Sequence, residues 1–256
     1  MWHMATHQEL RGPHWWLLAL WLLWAALLFG GFLFGTSEDA NRMPAWTRLG
    51  SSLTLVVAGW SWFTCARHSV ARRFSLLIAA GMTLGFVGDL FMAKQIPVSE
   101  PVLGGMTAFG LGHVAYIAAL VDFGNQSGLA ARHARWGAWI AWQLIGLACW
   151  SIIVLPSSQA PALRWAALPY TLLLASTAGF ATGLALQSRA FVPLALGSAL
   201  FLLSDLILAA ELFRQLTFPS IGEVVWLTYG PGQMLIVYAV ASALKVAQGG
   251  LRLAPS

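Results

Sequence analysis

"GMTLGFVGDLFMA", Gly81 to Ala93, reads as the second half of a membrane-crossing helix, yet it contains a carboxylate, Asp89. "GSALFLLSDLILA", Gly197 to Ala209, repeats the arrangement: a glycine, Asp205 eight residues on, then Leu206 and Ala209. A charged side chain at the centre of a bilayer costs at least ~2.5 kcal/mol and normally faces a bundle interior or a wet cavity. Two such placements in one chain raise the expectation of a shared interior site.

The rest of the chain is built for a bilayer. It is 59% hydrophobic and 9% charged, with fourteen Trp and a mean hydropathy of +0.72. Soluble domains carry about 25% charged residues. A crossing helix needs roughly 20 apolar residues. Eight segments meet that length, at about 15–35, 49–66, 74–93, 102–121, 136–155, 163–186, 191–213 and 223–245. The expected fold is all-α: one transmembrane domain of eight helices over 1–256, with short tails at about 1–14 and 246–256. The first segment exceeds the ~7–15 residues of a signal-peptide core and is read as a retained helix. Trp15, Trp16, Trp46 and Trp136 lie near segment ends, where the amphipathic indole anchors at the interface.

The net charge of +5 does not point to nucleic acid, because Lys and Arg are scattered over loops without a basic run. Cys65 and Cys149 are isolated and suggest neither a disulfide framework nor a metal-type spacing. Basic residues set the orientation. Arg11, Arg67, Arg72, Arg73, Arg132, Arg135, Arg189, Lys245 and Arg252 fall on the side of both termini. Arg42, Arg48, Lys94, Arg164 and Arg214 fall opposite, together with Glu38, Asp39, Glu100 and Glu211. The excess places both termini in the cytoplasm of a plasma-membrane protein, with a bacterial source expected.

Aligning Gly81 with Gly197 also pairs Leu84 with Leu200. The following helices correspond as well: "FGLGHVAY" (Phe109, His113, Tyr116) with "YGPGQMLI" (Tyr229, Gln233). An aromatic and a polar residue at i and i+4 share one helix face. The copies lie four helices apart, so both enter the membrane in the same direction, as in a parallel 4+4 repeat. Asp89 and Asp205 lie about 6 and 12 Å from the outer helix ends at ~1.5 Å per residue. His113, Tyr229 and Gln233 fall at comparable depth, between the outer surface and the midplane. Plainer roles exist for several of these. An interhelical hydrogen bond accounts equally well for His113, packing for Tyr116 and Tyr229, and backbone freed by Pro231 for Gln233. Glu211 and Glu223, near helix ends, are expected to be solvated.

"GD" at Gly88–Asp89 followed by "FGLGHVAY", with "LFLLSDLILA" in the other half, resembles the YhhN family of eight-helix membrane proteins, whose animal members include the lysoplasmalogenases. The similarity spans about 45–245. Where the family usually has a lysine near the start of the second helix, "TRLGSSLTLVVAG" offers Arg48. The resemblance implies hydrolysis of the vinyl ether bond of a lysoplasmalogen, giving a fatty aldehyde and glycerophospho-ethanolamine or -choline. Its partners would be a lysophospholipid substrate and membrane lipids, with no cofactor and no metal.

The residues suit that reaction. A vinyl ether is cleaved by acid: a proton adds to the β-carbon, an oxocarbenium ion forms, and water adds. Two carboxyl groups sharing a proton can act as acid and as stabilising anion. Asp89 and Asp205 are the candidate pair, with His113 orienting water or shuttling a proton. Tyr116, Ser204, Tyr229 and Gln233 would position water or glycerol oxygens, and Arg48 a phosphate. His113 is the only histidine within the predicted spans, too few ligands for zinc. No G-x-S-x-G elbow is present. The competing class is a proton-coupled transporter of a small polar solute or lipid, suggested by repeats, intramembrane acids and a helix broken at "YGPG".

Overall fold

The computed structural model describes residues 15–36 and 42–253. Arg11, Glu38, Asp39, the whole N-terminal tail and residues 254–256 lie outside the described residues. Eight α-helices are present among the described residues: α1 (Trp15–Phe34), α2 (Ala45–Ala66), α3 (Arg72–Met92), α4 (Pro101–Gln126), α5 (Arg132–Ile153), α6 (Pro161–Gln187), α7 (Val192–Arg214), which a 3-10 turn at Arg189–Phe191 leads into, and α8 (Ile221–Leu253). All eight are long and apolar enough to cross a membrane, and no strand occurs among the described residues.

Proline sets several of the starts. Pro44 precedes α2, and α4, α6 and α7 carry Pro in their first turn, where its missing N–H would be unpaired anyway. Left-handed residues follow two of the helices: Lys94 (φ 56°) beyond α3 and Gln215 (φ 54°) directly after α7. α4 and α8 run several residues beyond the apolar segments read from sequence. Apolarity marks only the hydrocarbon layer, and a helix continues into the interface wherever its backbone bonds are satisfied within the helix.

Two of the expectations change. α8 passes through Pro231 unbroken, as α6 does through Pro169. Neighbouring helices hold such prolines without interruption, so "YGPG" is not a break. The second correction is Glu223, which is only 2% exposed. One of its carboxylate oxygens accepts the backbone N–H of Arg42. The Arg42 side chain in turn donates to the carbonyls of Gly35 and Leu33 (both 3.2 Å) at the end of α1. The glutamate is buried because it ties the α1–α2 connection to the start of α8.

Each of α1–α4 packs on the next, α5–α8 do likewise, and α2 packs on α8 and α4 on α6 across the bundle. The tightest approaches occur at glycine. A side chain at Gly81 would strike the Tyr116 ring and come within 3.0 Å of the Gly112 carbonyl. One at Gly197 would come within 2.8 Å of the Gly232 carbonyl. One face of α3, Gly81, Gly85 and Gly88, thus lies against α4 and α8, and this closeness brings Asp89 to residues of α8. α1 and α5 are the least buried helices, peripheral to a core formed by the other six.

Candidate functional site

The site lies at the end of the bundle where α3 and α7 finish and α2 and α8 begin, opposite the start of α1. A cavity of about 210 Å³ opens there. Asp89, Ser204, Asp205, Tyr229 and Arg48 all line it, with Phe109 and Trp226. The two aspartates come from α3 and α7 and face the same space. Asp205 and Leu208 are followed by Glu211 on the same side of α7, at helical spacing. Glu211 therefore also lines the cavity and stays partly exposed, in keeping with its expected solvation.

Each carboxylate is held by hydroxyls. Asp89 is 4% exposed. Its Oδ2 accepts Ser52 Oγ–H from α2 and the Tyr229 hydroxyl from α8 at 3.0 Å. Asp205 is partly exposed to the cavity. Its Oδ2 accepts the Tyr170 hydroxyl from α6, and its Oδ1 a longer bond from Ser204 (3.3 Å). A buried carboxylate without partners is far more costly than a hydrogen-bonded one, so these donors are what allow the acids to sit here.

Behind Asp89 the network continues. Gln233 Nε2 donates to the Tyr229 oxygen at 3.3 Å, and the Tyr116 hydroxyl donates to Gln233 Oε1 at 3.0 Å. Gln233 therefore bonds to side chains on either side. Tyr116 and Gln233 do not line the cavity; they reach it through Tyr229.

His113 is placed differently. It lies behind an aromatic partition: its ring meets Phe201 edge-on at 4.5 Å, and Phe201 in turn packs on Tyr229 (5.2 Å) and Phe109 (6.1 Å). His113 does not line the cavity. Its Nδ1 is 2.9 Å from Thr177 Oγ1, and that hydroxyl donates to the Leu173 carbonyl at 3.1 Å. The other ring nitrogen, Nε2, is buried without a hydrogen-bond partner. The contact with Thr177 is the interhelical bond that the sequence left open as a plainer role.

Arg48 stands in the first turn of α2, its guanidinium 5.7 Å from the Trp226 ring centre. That distance allows a cation–π contact that fixes the head at the cavity wall. No group of three or more His, Cys, Asp or Glu among the described residues is arranged to hold a metal ion.

Sequence reasoning missed Ser52 and Tyr170. Ser52 sits in the polar run "RLGSSLT" of an otherwise apolar helix, and that run was a usable signal. Tyr170 is one of only four tyrosines, three of which join this network.

The architecture defines a polytopic helical membrane protein with paired intramembrane carboxylates in one cavity. The profile of the YhhN family matches residues 46–240, and the chain belongs to that family. No curated protein and no solved structure matches it.

Proposed function

We propose that the chain is a duplicated four-helix unit acting as a lysoplasmalogenase-like hydrolase, cleaving the vinyl ether bond of a lysoplasmalogen to a fatty aldehyde and a glycerophospho-ethanolamine or -choline. The observation that carries this reading is the convergence of Asp89 and Asp205 on one cavity with Arg48 on its wall. Vinyl ether hydrolysis needs a proton donor, an anion and a water within reach of one another. The cavity has room for water and a polar head group, and Arg48 supplies the cation for a phosphate. Hydroxyl donors hold the carboxylates in fixed geometry, which favours a site arranged before the reaction begins. The duplication is supported by the paired glycine contacts and by α2–α8 matching α4–α6. In this reading the termini are cytoplasmic and the cavity faces the opposite side of a plasma membrane.

The competing transporter reading drew on a helix broken at "YGPG", and the continuity of α8 weakens it. Detergent-purified protein distinguishes the two. An enzyme releases aldehyde from a lysoplasmalogen in detergent, whereas a carrier does nothing without a sealed compartment. The saturated alkyl ether cannot form the oxocarbenium ion by protonation, so it should bind and inhibit without being cleaved. Its cleavage would mean that the reaction is a different one.

A further inference from the structure

Asp205 stands at the wall between two chambers. On its far side a second cavity, of about 70 Å³, lies between α4, α5, α6 and α7. Met92, Phe109, Asp205 and Leu208 line both. The rest of the second lining is almost wholly apolar, including Met106, Trp150, Val154, Leu174, Leu212 and Phe213. Its polar groups are engaged: Thr171 donates to the Ala167 carbonyl at 2.8 Å, and Tyr170 to Asp205. Apart from Asp205, this lining offers a head group no free polar partner.

We propose that this chamber receives the hydrocarbon chain of the substrate where it leaves the reacting carbons, with the polar end across Asp205 in the first cavity. This rests on the hydrolase reading and deepens it. The first cavity carries Arg48, Glu211 and Asp89, which are poor company for hydrocarbon.

The orientation divides the labour of the two acids. The β-carbon of a vinyl ether is the one joined to the chain, so it faces Asp205. Asp205 transfers its proton there; the π electrons form the new C–H bond, and Asp205 becomes a carboxylate. The positive charge is shared by the α-carbon and the ether oxygen, towards Asp89. Water adds to the α-carbon and its proton passes to Asp89. The hemiacetal C–O bond then breaks: its hydroxyl proton returns to Asp205, and the proton on Asp89 goes to the departing glycerol oxygen. One water is consumed and both acids regain their starting state.

The test uses the full-length protein and saturated alkyl lyso-ethers of short, medium and long chain as binding probes, alongside aldehyde release from the matching vinyl ethers. Ala209→Phe fills the chamber and Trp150→Ala enlarges it. Ala209→Phe should weaken binding of the long probe about tenfold relative to the short one, the scale on which apolar pockets discriminate methylenes. Trp150→Ala should shift preference the opposite way. If one variant fails to fold, the other still decides the matter. An unchanged chain-length profile in a folded variant overturns the chamber assignment. Shifted probe binding without aldehyde release from any vinyl ether would instead retain the chain site and sink the hydrolase reading.

Discussion

At the scale of single residues, the site is a set of hydroxyls aimed at two carboxylates. Asp89→Asn and Asp205→Asn keep shape but remove the titrating group. Each should lower turnover of a lysoplasmalogen at least ~10²-fold, the usual scale of general acid–base catalysis. Tyr170→Phe removes only the donor to Asp205 and should reduce turnover less than either Asn change. His113→Ala tests the partition: with the imidazole outside the cavity, its loss should act on stability before it acts on rate. A first-order loss of turnover in a variant with unchanged melting temperature would return His113 to the chemistry.

At the scale of elements, the packing of α3 decides where Asp89 points. A methyl group at Gly88 would lie 2.7 Å from the Phe109 ring, and that ring lines the cavity beside Asp89. Gly88→Ala should therefore destabilise the protein by about 1–3 kcal/mol, as overpacking does, and reduce turnover beyond that loss; thermal unfolding in detergent and an activity assay measure the two separately. The helices themselves were legible in the sequence because hydrocarbon-length apolar runs leave little choice of structure. The carboxylate pair was legible for a related reason, since an acid in such a run needs an explanation. The partners were not. Ser52 and Tyr170 are ordinary residues in a helix until the packing of α2 on α3 and α6 on α7 turns them towards an acid. Phe201 looks like any core aromatic, yet it separates His113 from the cavity. Glu223 shows that closeness to a helix end is not closeness to water, since Arg42 packs over its carboxylate.

At the scale of the whole molecule, the eight helices of the described residues put the start of α1 and the end of α8 at one end of the bundle and the cavity at the other. Single cysteines introduced at His68 and Ser99, in a background lacking Cys65 and Cys149, report which face each end occupies. The excess of basic residues predicts that Ser99→Cys reacts with an impermeant reagent in intact cells, and that His68→Cys reacts only after permeabilisation. The reverse pattern would turn the cavity towards the cytoplasm.

The linings of both chambers contain neither lysine nor cysteine; the one basic side chain is Arg48. The proposed product is an electrophile, and amines condense with aldehydes to Schiff bases. A guanidinium that stays protonated is inert to that attack. Phosphate can thus be held by a positive charge beside a reactive carbonyl without self-inactivation. Arg48→Lys retains the charge and introduces the hazard. After turnover and borohydride treatment, that variant should gain the mass of one alkyl chain at residue 48, whereas the parent protein should not. An unmodified Lys in an active variant would show that the aldehyde leaves without meeting this wall.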